Sequence, residues 1–278
     1  MAYPTVSKPY GLKPVNLVGG QVFAGATTKN YPIQYGYSSD IFYGDLVNLT
    51  RGSVTKNVDT TDSTQTGLVG VFLGCSYTNP QTKQKTFSQY WPASTLAGDA
   101  QAIVCDDPDT VFQAAIVTAN GGTTIGSAGM ALVGQNLQGS DKAGSTNTGD
   151  SSNGLLVPAA TTSSAYVARV VGLVPDTAVA LGSATYTSIA TATVTCSALP
   201  YALPVGTDVG SLASNGQYIS SGSFVDTAAS AGATSFVLNQ APATAFASSA
   251  TLVFIQYPEL LVKLNFGQHQ YYAGTSIA

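Results

Sequence analysis

No stretch of this chain repeats its apolar residues at the period of a helix. Short apolar runs recur instead between turns rich in Gly, Pro and Asn, which is the pattern of strands and hairpins. The clearest run has apolar residues on both alternating sets of positions, so it predicts a central strand buried on both faces. In that run Val69, Val71, Leu73 and Cys75 alternate with Leu68, Gly70, Phe72 and Gly74. We therefore predict an all-β chain.

Changes in sequence texture divide the chain into three parts. Residues 1–32 carry four prolines interleaved with glycines, which exclude helix, yet remain apolar. We expect them to form an extended arm that packs along its own domain or a neighbouring subunit. Residues 33–183 together with 257–278 predict the main β domain, a sandwich or barrel-like body. Residues 184–256 contain no Lys, Arg or Glu, and we interpret them as a small β module inserted in a loop.

The composition indicates a surface that other subunits cover. Only 9% of residues are charged and the net charge is −4, whereas a soluble domain usually has about a quarter charged residues. Ten scattered Lys and Arg residues make no patch for phosphates, so we expect no nucleic-acid partner. No secretory signal and no apolar run of membrane-spanning length is visible. Cys75, Cys105 and Cys196 are expected to be buried free thiols, which fits a reducing cytoplasm.

The residue types that perform acid–base or metal chemistry are scarce. The only histidine, His269, has no carboxylate near it in sequence, so we expect a surface or interface residue. The acidic run 106–109 fits either a calcium loop or a strand-ending turn, and the turn is favoured because calcium spacing and its glycine are missing. We predict no catalytic residue, no cofactor-binding residue and no metal ligand, and therefore not an enzyme.

Aromatic and proline residues near the two ends of the chain are the candidates for contact with a partner. Tyrosine buries a large area at a small entropic cost, which suits an interface. The predicted partner contacts are Tyr3, Pro9, Tyr10, Leu12, Pro14, Tyr271 and Tyr272.

Several strings along the chain are familiar in their combination and order. They are Pro9-Tyr10-Gly11-Leu12-Lys13-Pro14, Tyr43-Gly44-Asp45-Leu46-Val47, Gly70-Val71-Phe72-Leu73-Gly74-Cys75, Gln89-Tyr90-Trp91-Pro92-Ala93, Asp106-Asp107-Pro108-Asp109 with Phe112-Gln113, and Gln268-His269-Gln270-Tyr271. Together they resemble virion structural proteins of tailed bacteriophages, in particular the capsid decoration (cement) proteins of marine and aquatic phages. The resemblance covers roughly 1–118, 165–183 and 257–272, and none of the strings is a catalytic signature.

The resemblance implies a protein made in the host cytoplasm that sits on the outer surface of the virion. Such a protein binds the capsid lattice, bridges neighbouring major capsid subunits and stabilises the DNA-filled head, because it prefers the assembled state. Decoration proteins are often trimers, so the expected partners are the major capsid protein and further copies of this chain. No nucleic-acid or membrane partner and no cofactor is expected.

Two alternatives stay open. One is another virion component of the tail, neck or head fibre, with an inserted module that binds a host surface glycan. The other is a secreted or surface glycan-active enzyme, which requires a carboxylate pair with at least one shifted pKa in a cleft.

Overall fold

The computed structural model describes residues 6–23, 25, 28–57, 67–129, 132–156, 166–243, 245–267 and 269–270. These residues form strands and turns, with a short 3-10 helix at Pro175–Thr177 and no α-helix among them. The predicted all-β class is confirmed. Across the described ranges, no helix has the length and apolar character that crossing a membrane requires.

The strands follow one another along the chain with short turns between most of them. The first eleven are β1 Lys13–Leu17, β2 Thr28–Pro32, β3 Leu46–Thr50, β4 Ser53–Lys56, β5 Leu68–Thr78, β6 Lys85–Ser88, β7 Gln101–Cys105, β8 Thr110–Val117, β9 Asn136–Gly139, β10 Leu155–Leu156 and β11 Ala168–Leu173. The remaining strands are β12 Val179–Ala190, β13 Thr193–Cys196, β14 Asp208–Leu212, β15 Tyr218–Thr227, β16 Ser235–Leu238, β17 Thr251–Gln256 and β18 Glu259–Leu264.

The first sheet closes on itself. Its strands run β8–β10–β9–β11–β18, and β18 pairs again with β8, while β1 pairs antiparallel with the beginning of β8. The circuit encloses an apolar core that includes Phe112, Leu137 and Val262. The main body is therefore barrel-like on this side, and β18, the last strand of the chain's described part, lies between β11 and β8.

The second sheet is ordered β2–β7–β5–β3–β4 with β6 beside β5. It packs against the first sheet, since Leu46 and Cys105 of this sheet lie in the first core. Its central strand β5 faces two cores, because Leu68 and Val71 lie in the first core while Val69 and Phe72 lie in a second. The predicted central strand is confirmed. The prediction that Val69 and Val71 share a face is wrong, because a bulge shifts the pairing between β3 and β5 at that point.

The strands β12–β13–β16–β15–β14–β17 form a closed barrel in residues 179–256. Its core is self-contained, since every buried residue of the cluster lies between Leu181 and Phe254. The first and last barrel residues, Val179 and Gln256, are cross-strand partners, so the chain enters and leaves the barrel at one place. The barrel begins at Val179, a little before the predicted module.

Candidate functional site

The arm is embedded in the body by a close backbone crossing. The Gly11 amide donates to the Asn153 carbonyl at 2.8 Å, and the Leu12 amide donates to the Gly44 carbonyl at 3.0 Å. Leu12 is fully buried in the first core. Gly11 has φ +81, and a Cβ there would lie 2.7 Å from the Gly44 oxygen. Gly11 and Leu12 therefore pack as part of the chain's own fold.

Tyr10 adds a polar anchor to this crossing. Its hydroxyl donates to Glu259 Oε1 at 2.5 Å, and the other oxygen of Glu259 accepts from Gln113 Nε2 at 2.9 Å. Burial, followed by the hydrogen bond to Glu259, raises the pKa of Tyr10 well above its usual range. The raised pKa favours the protonated hydroxyl, which is the form that donates to Glu259.

The predicted contact residues divide into two groups. Pro9 and Leu12 are buried, and Tyr10 and Pro14 are half-buried, all against the chain's own residues. Tyr3, Tyr271 and Tyr272 lie outside the described residues. A partner contact at these seven positions stays a prediction, and the described four act first as anchors of the arm.

Substituting alanine for Gly11 is expected to lower the free energy of unfolding by about 2–4 kcal/mol. The new Cβ would meet Gly44 and Ser151, and the left-handed backbone would add strain. Gly20→Ala is the matched control, because Gly20 has φ +80 but no atom within 4 Å of its Cβ position. Chemical denaturation should give a loss of only about 1 kcal/mol for the control. Equal losses would show that the crossing is not tight.

Beyond the crossing, the arm turns back and presents apolar side chains to solvent. We call residues 13–23 the valine ribbon: β1 pairs with β8, and the returning segment is joined to it by the Leu17–Gln21 and Asn16–Val22 pairings. Its valines Val15, Val18 and Val22 are 41%, 50% and 80% exposed. Sequence reasoning missed them, since alternation alone did not distinguish these valines from core valines.

A second cluster lies where the loop 141–153 crosses the body. Asp45 has no exposed surface, and it accepts from Ser151 Oγ at 2.5 Å and from Asn153 Nδ2 at 2.9 Å. Lys56 Nζ lies 3.8 Å from Asp45 and 2.7 Å from Asp141, with only 8% of its side chain exposed. The contacts of Lys56 with Asp45 and Asp141 connect β4 to the start of β3 and to the loop.

Electrostatics at this cluster are governed by burial. Burial raises the pKa of Asp45, and it is opposed by Lys56 and by hydrogen bonds. Burial lowers the pKa of Lys56, but Asp45 and Asp141 outweigh that effect and the net shift is upward. A shifted carboxylate is what a glycan-active enzyme needs. Asp45 nevertheless has no surface that a polysaccharide could reach, so the geometry fits a role in stabilising the fold.

The acidic run 106–109 forms a turn stabilised by its own neighbours. Asp106 accepts from the Tyr31 hydroxyl at 2.7 Å and pairs with Lys29 at 2.9 Å. Asp107 Oδ1 accepts the Asp109 amide at 2.9 Å, which is the local bond expected of an Asp in a turn. In the part of the chain that the structure describes, no group of three or more metal-ligating side chains is found.

The expectation that His269 is a surface or interface residue is wrong. The residue is fully buried, and its Nε2 lies 3.0 Å from the Asp106 carbonyl. It bridges in parallel to Leu68 on β5, and the next amide, that of Gln270, donates to Leu68. The end of the described chain thus returns to the central strand, which no local pattern foretells.

Lowering the pH is expected to destabilise the protein through His269. Burial is the main cause that lowers the pKa of His269 below 6.5. The unfolded chain therefore takes up the proton first, so stability is full above pH 6.5 and is lost as pH falls through the folded-state pKa. The loss has a slope of at most about 1.4 kcal/mol per pH unit. Denaturation of wild type and His269→Gln between pH 7 and 5 measures it, and identical slopes would contradict it.

No family model, no curated protein and no solved structure matches the chain.

Proposed function

We propose that this chain is a capsid decoration protein that binds the outer capsid lattice and bridges neighbouring major capsid subunits. The observation that carries the proposal is the valine ribbon, an exposed apolar strand and turn fastened to the body by the arm crossing. The sequence resemblance to phage cement proteins supports the same role. The alternative, a tail, neck or head-fibre component, would also be a virion structural protein, but at a different place in the particle.

The physical argument rests on pre-organisation. A contact segment that is already ordered loses little conformational entropy on binding, so more of its burial energy appears as affinity. Burying a valine side chain stabilises a complex by up to about 1.5–3 kcal/mol. A surface with few charges also has little hydration to lose when a neighbouring subunit covers it. A protein that binds the assembled lattice in preference to free subunits then stabilises the lattice by linkage.

The test uses virus heads from which the protein has been removed. The full chain and the triple variant V15S/V18S/V22S are added to expanded heads, and occupancy and heat resistance are measured. We expect the variant to bind at least tenfold more weakly, since it loses three apolar contacts. Unchanged occupancy would overturn the role of the ribbon.

The matched control is V133S/V171S/V205S, because these valines are 39%, 42% and 46% exposed elsewhere on the surface. It should bind like wild type. If only the control lost binding, the protein would still be a lattice-binding protein, but its contact face would include these three valines and not the ribbon. Electron microscopy of labelled protein separates the classes: density over the whole lattice indicates cement, and density at one vertex or on the tail indicates the alternative.

Excising the barrel is expected to leave lattice binding intact. Because Val179 and Gln256 are cross-strand partners, a short Gly-Ser link can join residues 178 and 257 without moving either. The buried residues of the barrel core are separate from those of the body, although Phe224 of the barrel packs onto the first core. We expect the body to stay folded, which circular dichroism measures, and head occupancy then measures lattice binding. Adsorption of the particles to host cells is followed in parallel. Normal occupancy with poor adsorption would favour a host-glycan role for the barrel. Lost occupancy with a folded body would contradict the proposal that the valine ribbon is the lattice contact.

A further inference from the structure

A crevice separates the barrel from the body. It has a volume of about 400 Å³, with Ile116 and Val117 of β8 on one side and Val205 and Phe224 of the barrel on the other. This volume is within the range of small-molecule sites, which are mostly apolar with a few placed polar groups.

The walls of the crevice are held by direct contacts. A Cβ at Gly206 would lie 2.1 Å from the Ser127 carbonyl oxygen, so the two backbones touch. Phe224 packs from the barrel onto the first core of the body. The Tyr257 amide donates to Ser127 Oγ at 3.1 Å, where the chain leaves the barrel. The cavity is therefore formed by packed elements on both sides.

One uncompensated charge lies at this crevice. Residues 179–256 contain no Lys, Arg, His or Glu, and their only acids are Asp208 and Asp226. Asp208 is buried and accepts from the Tyr218 hydroxyl at 2.6 Å. Asp226 is exposed and lines the crevice, and no hydrogen bond or ion pair to it is found among the described residues. The barrel thus directs its single exposed charge to the edge of an apolar cavity.

We propose that this crevice binds a small organic cation: an ammonium that pairs with Asp226, attached to an apolar group that enters between Val117 and Phe224. Charge complementarity selects the sign, because the carboxylate is the only charged group among the described residues that line the crevice. The apolar walls select an alkyl or aryl group over a strongly hydrated ligand such as a free sugar. The inference does not depend on the proposed lattice role.

The experiment titrates the full chain with 2-phenylethylamine and with its neutral analogue 2-phenylethanol, followed by amide chemical shifts. We expect saturable shifts at Val117, Gly126 and Gly206, and two- to fivefold tighter binding of the amine than of the alcohol. High salt should reduce that preference, since it screens an exposed pair. Asp226→Asn should abolish it.

Asp176→Asn is the matched control, because Asp176 is exposed but does not line the crevice. It should keep the wild-type preference for the amine. Equal binding of amine and alcohol, a preference that survives Asp226→Asn, or no saturable binding would each overturn the proposal. Since Asp226 is exposed, unchanged shifts elsewhere in the Asp226→Asn spectrum verify that its fold is intact.

Discussion

Replacing Asp45 with alanine is expected to lower the free energy of unfolding by about 3–5 kcal/mol, because it leaves a buried charge without one of its partners. Lys56 would keep only Asp141, and the Ser151 hydroxyl and the Asn153 amide would lose the acceptor they share. Each orphaned buried donor costs about 1–3 kcal/mol by itself. The loss should appear as a lower urea midpoint with an unchanged m-value.

Asp99→Ala is the control for this prediction. Asp99 also pairs with a lysine, Lys85 at 2.9 Å, but both side chains are nearly half exposed. Water and salt screen such a pair, so its removal should matter far less. Similar losses in the free energy of unfolding for the two variants would show that the burial of Asp45 adds nothing to its contribution.

Replacing Gly70 with alanine is expected to cost about 3 kcal/mol or more, since β5 has no room for a side chain there. A Cβ at Gly70 would lie 2.2 Å from the Cys105 carbonyl oxygen and 2.8 Å from Val104 Cγ1. Neither neighbour can move far, because both belong to β7 and each contributes to a different core. Thermal and chemical unfolding of the variant measure the cost.

Gly172→Ala is the matched strand variant. Gly172 lies in β11, and the nearest atom to its Cβ position is Leu261 Cδ1 at 4.0 Å. The added methyl therefore meets only ordinary contact, and reduced freedom of the unfolded chain stabilises by up to about 1 kcal/mol. A comparable loss at both glycines would mean that strand propensity, and not the clash at β5, sets the cost.

The arm and the histidine show where the sequence was ambiguous. Prolines and apolar residues predicted an extended arm, but they could not distinguish packing on the chain's own body from packing on a neighbour. The answer depends on the crossing of Gly11 with Gly44, two segments that are far apart in sequence. His269 was expected at the surface for the same reason, since its burial depends on a return to Leu68 that no local pattern encodes.

The burial of charged residues was equally hard to predict from the sequence. Asp45 lies in a string that carried the family resemblance, yet no role followed from it, because an isolated carboxylate is usually exposed. Its burial becomes tolerable only when Lys56 and the polar loop residues surround it. That environment exists only after three separate segments have packed together.

The sequence alone determined the all-β class, the central strand β5 and the distinct texture of the barrel region, because strand alternation and turn chemistry act between near neighbours. The tertiary structure decided which valines face solvent, which charges are buried and where the barrel meets the body. Those outcomes arise from contacts between residues distant in the chain. Solvent exposure, which is high for the valine ribbon and absent for Asp45, depends on the tertiary packing of the complete fold.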